Sequence, residues 1–246
     1  MDVASWIKAL RADGELLAEV ASGTSWDARV PGCPDWQVRE LVGHLGRVHR
    51  WARTIVAERI DADGLGAARD IMAGPQPDDD GLLDWFRAGH RDLVDTLEAA
   101  PADLACATFM PAPDPLVFWA RRQAHETAVH RVDAQQAAGL PFGVEPEFAA
   151  DGIDELLGGF LLRSRKLRAA EPRTMLFSAQ GRHWLVTVGP DTAAVEVTEP
   201  QPADVTITGP AENMYLALWN RVPWDQLTVT GDDDLATFWG GIFRVR

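Results

Sequence analysis

Apolar side chains recur at helical intervals in four segments of the first 140 residues. The segments are residues 3–22, residues 36–59, a stretch containing Leu82, Phe86, Leu93 and Leu97, and residues 116–138. An α-helix turns every 3.6 residues, so this spacing places the apolar residues of each segment on one face. Asp35 precedes the second segment as its expected N-cap, and Gly139 follows the fourth as its expected end signal. The pattern predicts an antiparallel four-helix bundle over residues 1–140.

A different pattern begins after residues 141–146, which are predicted to be a linker. A helix is predicted over residues 148–169, and apolar residues then alternate with polar ones, as they do in strands. The predicted strands are residues 175–177, 183–188, 195–197, 205–208 and 227–230. Further helices are predicted at residues 211–220 and 232–243. Strands flanked by helices indicate a smaller α/β domain over residues 146–246, and the chain as a whole is therefore assigned to the α+β class.

The charge balance excludes some classes of partner. The chain carries 23 basic and 37 acidic residues, a formal net charge of −14. Phosphates are repelled by such a surface, so neither nucleic acid nor an anionic membrane is an expected partner. No stretch approaches the ~18 apolar residues of a membrane span, and the first residues lack the features of a signal peptide. Cys33 and Cys106 stand far apart and outside any CxxC motif, which indicates structural roles in a reducing cytoplasm.

The fourth predicted helix contains a candidate pair of metal ligands. Glu126 and His130 are four residues apart and therefore share one helix face, where a carboxylate and an imidazole can bind one metal ion. His125 lies about 100° away around the helix and is not expected to join them. An alternative interpretation is an ordinary surface pair, with Glu126 bonded to Arg122 one turn earlier.

A third ligand is expected from the second helix, which offers His44 and His49. Five residues correspond to about 500° of rotation, so the two imidazoles point about 140° apart and only one is expected to face the core. His44 lies among apolar residues. His49 lies among Arg47, Arg50 and Arg53 and is predicted to be exposed. His44 is therefore the predicted ligand, although a lone histidine on an apolar face is also often a structural core residue.

The predicted ligand set is His44, Glu126 and His130. Three protein ligands leave coordination positions open, as a catalytic metal requires, and the absence of thiolates argues against a closed structural zinc site. Zinc, iron, nickel and manganese all accept these donors. Asp133 lies three residues beyond His130 and is a candidate to orient a ligand imidazole.

Several motifs resemble a known family. Residues 36–45 (WQVRELVGHL) resemble the second-helix signature of the DinB-like metalloenzymes. Residues 119–134 (WARRQAHETAVHRVDA) resemble the fourth-helix signature of the mycothiol-dependent maleylpyruvate isomerase family. The stretches DVTITG at 204–209, LWNR at 218–221 and VTGD at 229–232 resemble the C-terminal domain of that family. The resemblance covers nearly the whole chain.

The resemblance implies a DinB-like bundle followed by a sterol-carrier-like α/β domain. It also implies a divalent metal, usually zinc, held by His44, Glu126 and His130, with mycothiol as the thiol cosubstrate. Coordination to a cation favours ionisation of a thiol, which then attacks as the thiolate. An isomerase would add this thiolate to a double bond and later release it, whereas a transferase would displace a leaving group or open an epoxide and release the adduct.

Three arginines are candidates for binding the carboxylates of a substrate. Arg221, in the C-terminal motif, is the family-like candidate for a catalytic residue that reaches across the domain interface. Arg87 and Arg91 on the third helix are alternatives, and ordinary surface charge is the competing explanation for all three. His90 and His183 lie in no ligand pattern and are predicted to be structural.

The sequence therefore predicts a cytoplasmic, metal-dependent isomerase or S-transferase that uses mycothiol on a small-molecule electrophile, as a monomer or homodimer. One alternative is a non-catalytic metal-binding, ligand-binding or regulatory module on the same fold. Another is a carrier of small hydrophobic ligands that acts through the C-terminal domain, for which only fold-level analogy speaks.

Overall fold

The chain divides into two compact units, Met1–Phe142 and Gly143–Arg246. A computed structural model describes residues 1–112, 114–162, 168–191 and 193–232. The first unit is helical and the second contains a sheet, so the α+β class predicted from the sequence is confirmed. Among the described residues, no helix combines the length and the apolar character of a membrane span.

Four long helices form the first unit, as the apolar pattern predicted. They are α1 (Val3–Ser22), α2 (Val38–Ala57), α4 (Asp79–Ala99) and α5 (Pro115–Ala137). The predicted loop between α2 and α4 contains a short helix, α3 (Leu65–Ala68), which continues as a 3₁₀ turn, Arg69–Ala73. Helix α1 packs on α4 and α5, and α2 packs on the same two helices, so each long helix has two main neighbours.

The start of α2 differs from the prediction. Asp35 is not its N-cap. Gln37 takes that position, and its backbone N–H donates to Glu40 Oε2 at 2.9 Å. The residues before the helix are paired with an earlier segment: Val30 N donates to the Trp36 carbonyl at 3.1 Å, and Gln37 forms a β-bridge with Arg29. This short-range pairing holds Gln37 in an extended conformation, and the helix begins only after it.

Helix α5 is buried along most of its length. It begins after Asp114, whose side chain accepts a hydrogen bond from Val117 N at 3.0 Å, and Gly139 follows its end with a φ of +67°, as predicted for an end signal. Several of its polar residues, among them Arg122 and His130, are buried together with its apolar ones. Because buried polar groups require partners, α5 is where specific polar contacts are expected in this unit.

Among its described residues, the second unit contains one sheet and two α-helices. Helix α6 (Pro146–Glu155) continues as a π-helical segment, Leu156–Leu161. Helix α7 (Ala211–Leu218) connects the last two strands in the sequence. The strands are β1 (Arg173–Ala179), β2 (Arg182–Val188), β3 (Ala193–Val197), β4 (Val205–Thr208) and β5 (Thr228–Gly231), in the order β3-β2-β1-β4-β5. Strand β1 pairs antiparallel with β2 and parallel with β4.

Most elements predicted for the second unit are present. The helix predicted over residues 148–169 begins slightly earlier and changes to π-helical hydrogen bonding after Glu155. Residues 163–167 of that prediction lie outside the described residues. The helix predicted over residues 232–243 lies outside them too, apart from Asp232.

Gly14 marks a close approach between α1 and α4. A Cβ at this position would stand 2.3 Å from the His90 ring, whereas a Cβ at Gly66 in α3 would meet nothing within 4 Å. We predict that Gly14→Ala lowers the free energy of unfolding by about 1–3 kcal/mol, because His90 is buried and must be displaced. Gly66→Ala is the control and should be neutral, or stabilising by at most about 1 kcal/mol. Urea denaturation measures both, and equal stability of the two variants would contradict the prediction.

Candidate metal centre

The three predicted ligands meet between α2 and α5. One ligand atom from each of His44, Glu126 and His130 lies within 4.8 Å of the other two. Glu126 Oε1 is 3.3 Å from His44 Nε2 and 3.4 Å from His130 Nε2. The two imidazoles therefore converge on a single carboxylate oxygen.

The other oxygen of Glu126 is engaged by an arginine. Arg122 donates to Glu126 Oε2 at 3.1 Å, and its side chain is almost completely buried. The sequence offered an Arg122–Glu126 pair as an alternative to metal binding. In the structure this pair and the cluster are present together. The pair leaves Oε1 directed at the two imidazoles.

The charges of the cluster depend on these contacts. Burial by itself raises the pKa of Glu126, but hydrogen bonds with His130 and His44 and the charge of Arg122 hold that pKa well below its usual value. Burial lowers the pKa of His44, which favours a neutral imidazole with a lone pair to share. Burial also lowers the pKa of His130, but its hydrogen bonds to Asp133 and Glu126 outweigh burial and raise it.

A carboxylate behind the cluster orients His130. Asp133 Oδ2 is 2.8 Å from His130 Nδ1, and the Asp133 side chain is fully buried. This contact leaves Nε2 of the same ring directed at Glu126, which is the arrangement expected of a carboxylate that positions a metal-ligating histidine.

Cys33 lies beside this carboxylate, a proximity that sequence reasoning missed. Its thiol donates to Asp133 Oδ2 at 3.8 Å, and Cys33, His130 and Asp133 form a second, fully buried group of possible metal ligands. Cys33 and Asp133 are 100 residues apart in the sequence, and no sequence motif links them. The one local signal is the turn-rich stretch that contains Cys33 just before α2.

The cluster is open on one side. The side chains of His44 and Glu126 are 23% and 24% exposed, whereas that of His130 is 4% exposed. The Trp36 ring covers both imidazoles, with centroid distances of 4.8 Å to His44 and 5.8 Å to His130. A further ligand would therefore reach the cluster from the side of His44 and Glu126.

The prediction that His49 is exposed is wrong. His49 is fully buried, its Nε2 is 2.9 Å from Thr127 Oγ1, and its ring lies against Phe86 and His90 of α4. The reason is that α2 packs on both α4 and α5. His44 and His49 point about 140° apart on α2, and each therefore meets a neighbouring helix.

The other two histidines without a ligand pattern make ordinary structural contacts. His90 Nε2 is 3.3 Å from the Arg11 carbonyl, and His183 Nδ1 is 2.8 Å from Ser178 Oγ. Both contacts fit the structural roles predicted for them.

The candidate substrate-binding arginines lie in different places. Arg221 follows α7 in the second unit, is buried and donates to the Trp219 carbonyl at 2.6 Å. Arg87 and Arg91 are exposed residues of α4 and line a cavity of about 340 Å³ together with Arg11 and His90. None of the three candidate metal ligands lines this cavity. A catalytic role for Arg221 stays a prediction.

The fold and the cluster together define a helix-bundle protein with a candidate metal centre and a second, α/β unit. Residues 7–135 match the family model of the mycothiol maleylpyruvate isomerase N-terminal domain, and residues 147–238 match that of the MDMPI C-terminal domain. The chain belongs to the mycothiol maleylpyruvate isomerase family, and the resemblance seen in the sequence is confirmed.

Solved structures of the same fold cover nearly the whole chain. A mycothiol-dependent maleylpyruvate isomerase aligns with a TM-score of 0.62 at 13% sequence identity, and a histidine-to-alanine mutant of such an enzyme aligns with a TM-score of 0.63 at 10% identity. Each alignment covers 94% of this chain and 93% of the other. At such low identity the likeness shows the fold alone. No curated protein matches the sequence.

Removing Arg122 should cost more stability than removing a surface arginine, because it leaves the Glu126 carboxylate without its cation. We predict that Arg122→Met lowers the free energy of unfolding of the metal-free protein by at least about 2 kcal/mol, because the carboxylate loses its cation in a partly buried site. The control is Arg87→Met, which removes an exposed arginine 3.5 Å from Asp84 and should cost less than about 1 kcal/mol. Chemical denaturation compares the two, and a similar loss in both variants would contradict the prediction.

Proposed function

We propose that the chain is a divalent-metal-dependent enzyme that uses the thiol of mycothiol as a nucleophile on a small electrophile, as an isomerase or an S-transferase. The observation that carries the proposal is the convergence of His44 Nε2 and His130 Nε2 on Glu126 Oε1, within a member of a mycothiol-dependent family. The same cluster would suit a non-catalytic metal-binding module, which the experiments below separate from an enzyme.

The donor set fits a zinc-like ion. Donors at 2.0–2.1 Å in a tetrahedral site stand about 3.3–3.4 Å from one another. The two nitrogen–oxygen distances at Glu126, 3.3 and 3.4 Å, are compatible with that edge, and the ligand atoms of the two histidines lie within 4.8 Å of each other. Two imidazoles and one carboxylate also form a three-ligand set that leaves a coordination position open. Nickel and iron accept the same donors, so zinc is the first candidate rather than the only one.

Each residue of the cluster has a defined task in this proposal. When bound, a divalent metal lowers the pKa of a coordinating thiol and so supplies the thiolate at neutral pH. Arg122 holds Glu126 Oε2, so Glu126 would bind the metal through Oε1. Asp133 fixes the His130 ring, and Trp36 lies against both imidazoles. The partly exposed side chains of His44 and Glu126 mark where the incoming thiol would enter.

The electrophile is the less defined partner. Arg221 remains the candidate for a carboxylate of the substrate, by resemblance to the C-terminal motif of the family. The cysteines of the chain are poor candidates for the nucleophile. Cys33 is buried, and burial raises the pKa of the Cys106 thiol despite a hydrogen bond with Trp119. An added thiol is therefore part of the proposal.

Protein purified without added metal should contain about one divalent ion per chain by elemental analysis. We expect His130→Ala to lose this ion, since the substitution removes a ligand that two carboxylates hold in place. His125→Ala is the matched control, because His125 is a buried histidine of the same helix outside the ligand group and should keep the ion. Retention of the ion by His130→Ala would overturn the ligand set.

Thiol activation has a spectroscopic test. With Co²⁺ at the site, added mycothiol should produce an intense sulfur-to-metal charge-transfer band, and a thioether of the same shape should not. Mass spectrometry of protein, zinc, mycothiol and a panel of activated alkenes, epoxides and alkyl halides should then reveal an isomerised alkene or a thiol adduct. A metal-loaded protein that gives neither band nor product would favour the non-catalytic module.

A further inference from the structure

We propose that the hydrogen bond between His49 and Thr127 is a positioning contact that holds α5 in the rotation that metal binding requires. The inference rests on the function proposed above, because it concerns the same metal. His49 lies on α2 five residues after His44, and Thr127 directly follows Glu126 on α5. Two consecutive residues of α5 are therefore engaged by two histidines of one neighbouring helix.

The contact is well defined and sealed from solvent. His49 Nε2 is 2.9 Å from Thr127 Oγ1, and both side chains are fully buried. The rings of Phe86 and His90 lie 5.5 and 5.2 Å from the His49 ring, which restricts its movement. Water is not at hand to replace a lost partner at this depth, so the bond strongly favours one placement of α5.

The hydrogen-bonding pattern assigns the direction of this bond. His49 Nδ1 has no hydrogen-bond partner among the described residues. Burial lowers the pKa of His49 well below its usual value, so the ring is neutral and carries one N–H. An unpaired buried N–H is rarer in proteins than an unpaired acceptor. We therefore assign the proton to Nε2, which donates to the Thr127 hydroxyl.

Two histidines approach α5 from different environments. His44 reaches Glu126 on the partly exposed side, and His49 reaches Thr127 in the core. A side-chain atom lies about 5–6 Å from the helix axis, so a rotation of α5 by 20° would move it by about 2 Å. Metal–ligand distances tolerate only about 0.2 Å. A rotation of this size would therefore take Glu126 out of ligating range and would also break the 2.9 Å bond between His49 and Thr127.

The test compares the zinc affinities of threonine variants. Thr127→Val keeps the branched shape and removes the hydroxyl, and we expect it to weaken zinc binding about tenfold or more, as loss of a supporting contact does. Thr127→Ser keeps the hydroxyl and should bind zinc nearly as well as the wild type. Thr96→Val is the matched control. It removes a hydroxyl that donates to the Asp92 carbonyl on α4, and it should leave zinc affinity unchanged.

A second measurement separates positioning from general stability. The visible bands of bound Co²⁺ report ligand geometry, and they should change in Thr127→Val but not in Thr127→Ser or Thr96→Val, all measured well below the unfolding temperature. If Thr127→Val does not fold, Thr127→Ala is judged by the same criteria. Wild-type affinity and spectrum in the variant that lacks the hydroxyl would overturn this inference alone. Absence of zinc binding by the wild type would overturn the proposed function and this inference with it.

Discussion

Glu126 carries a negative charge in a partly buried place, and the surrounding structure serves to keep it there. A carboxylate removed from water is costly unless it is paired and hydrogen-bonded. Here Arg122 pairs with one oxygen, and His44 and His130 face the other. Three of these four residues lie on α5, so the burial of that helix and the approach of α2 decide whether the cluster exists. The same arrangement that neutralises the charge also brings three possible metal ligands together.

The part of the site that could be predicted from the sequence is the part encoded on single helices. Glu126 and His130 share a face because of their spacing, and Asp133 lies one turn beyond them, so helix geometry alone related all three. Two independent features of the sequence point to His44: its apolar neighbours on α2 and the resemblance of residues 36–45 to a family motif. Fold class was equally accessible, since helical and alternating periodicities occupy separate parts of the chain.

The parts that the sequence did not predict depend on contacts that reach beyond a single helix. Whether His49 is exposed depends on how many helices pack against α2. The periodicity of apolar residues along α2 alone does not reveal how many neighbours it has. The start of α2 depends on a β-bridge between Arg29 and Gln37, which overrides a good local capping residue. The proximity of Cys33 to Asp133 depends on a turn closing over α5.

The condition of the two cysteines has a consequence for the proposed reaction with an electrophile. Alkylating compounds react with thiolates and far less with thiols. The S–H of Cys33 is buried and donates to a carboxylate, and burial raises the pKa of Cys106. Cys33 is thereby screened from solvent, and the thiol of the partly exposed Cys106 is favoured in its protonated form. In the proposed reaction, the reagent would therefore meet the exchangeable cosubstrate before it met the polypeptide, and the catalyst would be spared inactivation by the compounds it transforms.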